Sequence, residues 1–286
     1  MDEFITNWMN SPGMLKINEK PQIDHTRIAQ LLRSSWFTEL LVVGEAKNDS
    51  LLPYSNPWSM VQLYYIIYLS IRAYFLAFGR KVSSNHTVTL RTIAEDLINV
   101  KDRFPLPLSS CLSGMTSSEP FRLDNSPQEI TITLNNPLVS PYAVHPWQHY
   151  GLLLKTTRAR QLKRSFDEYR KKSCVERLPK AKKQEIAQSV RPTTIFDGLY
   201  RIRIRSNYSD VDSFVLTSIS DSDSIQLSKS ICRIIYRTLL IFEILIAKSV
   251  GKQQYEKFVI NFTTRKLGKP AEETALLRWN QIKKHL

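Results

Sequence analysis

The segment RIRIRSNYSD, Arg201 to Asp210, sets three guanidinium groups at alternate positions and follows them with a serine and a tyrosine. A guanidinium is a rigid fork of donors that matches phosphate or carboxylate oxygens, and three in five residues are costly to bury unless something anionic faces them. As a strand, the segment would carry Arg201, Arg203 and Arg205 on one face and Ile202 and Ile204 on the other. As a helix, it would pair Arg201 with Arg205, turn Arg203 elsewhere, and bury Ile195, Leu199 and Ile202. The preceding IFDGLY continues the helical spacing and favours the helix, although periodicity alone leaves both open.

A second concentration of charge lies upstream. Residues 155–183 hold twelve Lys and Arg against Asp167, Glu168 and Glu176, a net of +9. The first hundred residues hold nine basic and nine acidic side chains, so the formal +14 of the chain is local rather than general. Such a block is either a solvated helix face or a surface that meets nucleic-acid phosphates or anionic lipid. On the nucleic-acid reading, the contacts are Arg158, Arg160, Lys163, Arg164, Arg170, Lys171 and Lys172, joined by Arg201.

Several chemistries are missing from the sequence. Its eight glycines form neither GxGxxG nor a phosphate-cradling loop, and HExxH, CxxC and GxSxG do not occur. His145 and His149 are four apart in HPWQH, but Pro146 lies between them and no third ligand is near, so no metal is expected. The pairs Asp210/Asp212 and Asp221/Asp223 read as helix caps rather than cation ligands. No cofactor is expected. Cys111, Cys174 and Cys232 are odd in number and far apart, which suits reduced packing thiols in a cytoplasmic protein. MDEFITNWMN has neither a basic start nor an apolar run, so no leader is expected. Two apolar segments, VQLYYIIYLSIRAYFLAF and ICRIIYRTLLIFEILIAKSV, are interrupted by Gln62 and Arg72 and by Arg233, Arg237, Glu243 and Lys248, and read as buried bundle helices rather than membrane spans.

The elements that must position these residues are mostly helical. A first helix follows Asp24 as N-cap and buries Ile28, Leu31, Leu32, Trp36 and Leu40. A second opens at SNPWSM, with Ser55 or Asn56 as cap and Pro57 in its first turn, and stops at Gly79; a third follows SSNH. Nine of fourteen prolines fall between Asp102 and Pro192, which marks an insertion over 101–192 between a bundle part at 1–100 and another at 193–286. Within it, EITITL alternates Ile130, Ile132 and Leu134 as a short strand, Trp147 to Lys172 forms a basic helix, and a shorter helix follows LPKAKKQEI. SISDSDS caps a long helix with Ile231, Ile234, Ile235, Leu239, Phe242, Leu245 and Ile246 as its buried stripe, and a last helix starts at Pro270.

Two stretches then resemble the HEPN superfamily of small helical-bundle proteins from toxin–antitoxin pairs, anti-phage defence and RNA processing. YYIIYLSIRAYFLAFG, Tyr64 to Gly79, is similar to that family's YYAxFxAARALLLxxG, with Tyr64, Tyr65, Arg72, Ala73, Leu76 and Gly79 in register, and His86 falls where a loop of the family carries a histidine. LYRIRIRSNYSDVDSF resembles the branch whose third helix ends RxRxDY. The resemblance implies a mainly α fold, an antiparallel helical bundle with a small β-containing insertion, and a homodimer. Ribonuclease members of the family place a histidine after an arginine and four to six intervening residues, often with a tyrosine two residues later; counted from Arg201, the histidine position is Ser206 and the tyrosine is Tyr208. Serine without a base does not do acid–base work near neutral pH.

The leading expectation is therefore a HEPN-like protein that binds nucleic acid, RNA rather than DNA, in defence or a toxin–antitoxin system, without nuclease chemistry. One alternative is an active endoribonuclease using Arg203, Arg205 and Tyr208 with His86 as displaced acid. Another is a structural subunit that docks a protein partner.

Overall fold

The computed structural model describes residues 2–17, 23–100, 103–116, 123–124, 146–208, 220–264 and 272–286. Within them the fold is mainly α, a helical bundle with one two-stranded sheet. The chain divides into two compact units, Met1–Thr89 with Ile202–Leu286, and Leu90–Arg201. These limits fall inside helices rather than at the ends of the proline-rich region. The expected strand at 130–134 and the helix start at Pro270 lie outside the described residues.

In the first unit, α1 (Asp2–Met9) and α2 (Pro12–Leu15) precede α3 (His25–Glu45), α4 (Leu52–Ala77) and the start of α5 (His86–Asn99). Asp24 caps α3 as expected, its Oδ1 accepting from the Arg27 amide at 2.8 Å. Helix α4 begins three residues before Ser55–Asn56–Pro57 and contains Pro57 in its interior. Asn56 is no cap; its Nδ2 donates to the Ser224 carbonyl at 2.9 Å in the core. The helix ends as Gly79 takes φ +71°, with the Arg80 amide reaching back to the Phe75 carbonyl at 2.9 Å. Residues 49–77 are long and apolar enough to cross a membrane, but most of that surface is buried in the bundle.

Helix α4 packs against α3 and against α9 (Asp221–Val250), which is followed by α10 (Lys252–Thr263), a π-turn at Glu272–Leu276 and α11 (Leu277–Ile282). Ser220 caps α9, accepting from the Asp223 amide, and the predicted stripe is buried except for Ile234, which is exposed. The core includes a charge cluster. Arg278, fully buried, pairs with both oxygens of Glu39 and both of Glu243, and Trp36 Nε1 donates to Glu243 Oε1 at 2.8 Å. Burial raises the Glu39 pKa above the ordinary carboxylate value despite the guanidinium.

In the second unit, α6 (Pro146–Ser173) packs against α7 (Lys180–Ser189) and on a sheet in which β1 (Cys111–Leu112) runs antiparallel to β2 (Thr193–Thr194). Helix α8 (Ile195–Tyr208) follows directly. Asp197 holds its start, accepting from the Thr194 amide at 2.9 Å, and Arg191 clamps the same carboxylate with two nitrogens. Leu112, Leu123 and Leu154 form a core with Trp147 and Tyr150 against it. Cys111 is buried there, its thiol pushed up to about 12 by burial and then by Asp124, so it is an inert packing residue; Cys174, by contrast, is exposed.

Candidate functional site

Helix α8 makes RIRIR helical, as the spacing of IFDGLY favours. Its three arginines take three different environments. Arg201 Nη1 donates to Thr156 Oγ1 at 2.7 Å and Thr157 Oγ1 at 2.9 Å, so it is engaged by α6 rather than presented to a ligand. Arg203 Nη2 donates to Tyr65 Oη at 2.5 Å, with its Cζ 5.2 Å from that ring. Arg205 is half-buried, Ser206 is buried, and Tyr208 is the last residue of α8.

The basic block separates by helix face. Leu154, Thr157, Arg158 and Leu162 form the inner stripe of α6. Arg158 is fully buried and donates to four carbonyls, of Gly114, Ala187, Val190 and Arg191, which corrects its assignment as a phosphate contact. Burial, followed by Arg191, lowers its pKa to about 10. It ties α6 to the end of α7 and to the segment that enters β2.

The other named cations of α6 are exposed. Arg160, Lys163, Arg164 and Lys171 recur at helical spacing around one shallow surface. The two acids of α6 are matched within the helix, Glu168 by Arg164 at 2.8 Å and Asp167 by Arg170. On α7, Lys182 pairs with Glu185 at 2.6 Å and lies over the Tyr169 ring. Arg160, Lys163, Lys171, Lys172, Arg177, Lys180 and Lys183 make no ion pair among the described residues, leaving a cationic surface with Glu176 as its unmatched acid.

A separate cluster lies in the first unit. Tyr64 and Tyr68 stack along α4, and the His86 ring sits 4.3 Å from that of Tyr68, with Nδ1 2.8 Å from Tyr64 Oη. Arg72, one turn further along α4, places its Cζ 5.5 Å from the Tyr68 ring. Thus His86, the expected displaced acid, is brought into the same neighbourhood as Arg203. It is not in a loop but opens α5, whose first amides are capped by Asn85 Oδ1. Tyr64, Tyr65 and Arg72 were not assigned to a site from the sequence; the available signal was a charged residue inside an otherwise apolar helix.

Burial holds the His86 pKa below its ordinary 6.5, and Arg203 and then Arg72 add to the depression. The folded state therefore favours neutral imidazole, and stability from this group is present above about pH 6.5 and lost as pH falls through the lower folded value. In urea unfolding, wild type should lose more stability between about pH 7.5 and about pH 5 than His86→Gln does. Equal losses would remove His86 as the source.

Among the described residues no group of three His, Cys, Asp or Glu side chains is placed to hold a metal ion; His149 is exposed and His145 lies outside them. Comparison of the chain with protein-family models, curated proteins and solved structures finds no match in any of the three.

Proposed function

We propose that this protein binds nucleic acid, RNA in preference to DNA, through the exposed face of α6 and α7. The observation that carries the reading is the set of six cations on these helices, with Arg177 between them, that make no ion pair among the described residues, in a region whose acids are largely matched by neighbouring bases. A surface of this kind gains affinity by displacing counterions from phosphates. The resemblance to HEPN proteins in Tyr64–Gly79 and in α8 supports an antiparallel bundle, a homodimer and a cytoplasmic role in anti-phage defence or a toxin–antitoxin pair. With serine at 206 the reading assigns no nuclease step.

The test is binding of fluorescent single-stranded RNA and DNA of one sequence across a salt series. The expected result is tighter binding to RNA and a log–log salt slope of magnitude about 4 or more, corresponding to roughly six phosphates at about −0.7 per phosphate on a single strand. No binding, or a flat salt dependence, sinks the proposal. Recovery of a stoichiometric protein partner from cells, with no nucleic-acid absorbance, would favour the docking-subunit reading instead.

One observation favours a second reading, an endoribonuclease: His86 and Arg203 share a cluster. A neutral imidazole there suits a general base. This reading requires toxicity on expression that His86→Ala removes.

A further inference from the structure

We propose that Arg72, Arg203 and His86 form a binding site for a phosphomonoester dianion, independent of the cationic surface on α6 and α7. The inference goes beyond nucleic-acid binding and stands if that reading fails.

Three other arginines of this protein meet acceptors in the fold. Arg278 meets two carboxylates, Arg191 meets Asp197, and Arg158 meets four carbonyls. Arg72 and Arg203 have no such match. Neither makes an ion pair among the described residues, and the Nε of each is buried without a hydrogen-bond partner. Each lies over a tyrosine ring, which attracts a cation but neutralises none of its charge. Two guanidiniums left this way in a half-buried site are held at a cost that a bound anion would offset.

The rest of the cluster supplies neutral donors. Ser206, one turn beyond Arg203 on α8, is 4% exposed and its Oγ has no partner among the described residues. Facing His86 among the described residues are Tyr64, Tyr65, Tyr68 and Arg72 from α4 and Arg203 from α8. The two guanidiniums supply a charge of +2, which a phosphomonoester near neutral pH matches, whereas a phosphodiester with one charge leaves a guanidinium unmatched. His86 can then take a proton once the anion is in place, because an opposite charge nearby favours the charged imidazole.

The experiment is NMR titration of the His86 ring in the full chain, assigned by its loss in His86→Gln, with and without inorganic phosphate at matched ionic strength. Phosphate should raise the His86 pKa by about one unit or more. Arg72→Gln and Arg203→Gln, checked for folding by circular dichroism, should each abolish the response. Dimethyl phosphate should give a much smaller shift. An unchanged His86 pKa in wild type overturns the proposal without any variant. So does a shift that survives in both arginine variants, or an equal response to dimethyl phosphate. Two further probes separate the sources of such a group. A stronger response to a 5′-mononucleotide assigns the free ester, and a stronger response to a 5′-phosphorylated oligonucleotide than to its 5′-hydroxyl form assigns a strand end. A variant with α6 charges reversed should keep the phosphate response, so failure of the nucleic-acid reading and failure of this one are distinguishable.

Discussion

Replacing Arg278 with methionine should cost about 3–5 kcal/mol and leave the first unit largely unfolded at 37 °C. Arg278 is fully buried between Glu39 and Glu243. The two carboxylates and one guanidinium already carry a net negative charge, and burial raises the Glu39 pKa. Removing the cation leaves two carboxylates facing each other in the core, so at least one must take up a proton or the helices must part. In urea unfolding at neutral pH the midpoint should fall sharply, and lowering the pH toward the raised Glu39 value should recover part of the loss. The triple variant Arg278→Met, Glu39→Gln, Glu243→Gln should be more stable than Arg278→Met alone, because the amides need no counter-charge. If the single variant matches wild type in midpoint, the cluster does not hold α3, α9 and α11 together.

The second large effect concerns binding. Arg160→Glu, Lys163→Glu, Lys171→Glu and Lys172→Glu together should lower nucleic-acid affinity roughly 10³-fold at low salt, at about 1 kcal/mol per lost contact, and flatten the salt slope by about 3. All four side chains are exposed and none makes an ion pair among the described residues, so the fold should tolerate the change. The same number of reversals at matched positions, Arg164 and Arg170 with their acids exchanged in place, should cost far less, since the local net charge is unchanged. Equal affinities for the quadruple variant and wild type would remove α6 as the interface.

Much of this was legible along the chain. Helix periodicity located α3, α5, α6 and α9, because an amphipathic stripe and a capping side chain are local properties. Even the burial of Arg158 leaves a trace, since it lies four residues from both Leu154 and Leu162, on the apolar side of an otherwise basic helix. Counting charges over the block hid that trace. The start of α4 was misplaced because Pro57 suggests a first turn, and helix packing kept the residues before it helical as well. The two-residue strands had no signal, being too short for alternation to register.

What the sequence by itself determined is the helical class and the place of the excess charge, both carried by neighbours three or four residues apart. Only the tertiary structure decided which charges are spoken for. Glu39, Glu243 and Arg278 are joined across 239 residues of chain, and Arg203 reaches Tyr65 across 138. A guanidinium has the same composition whether carbonyls, carboxylates or only an aromatic ring face it. The partner that distinguishes these cases comes from another helix, and packing alone selects it.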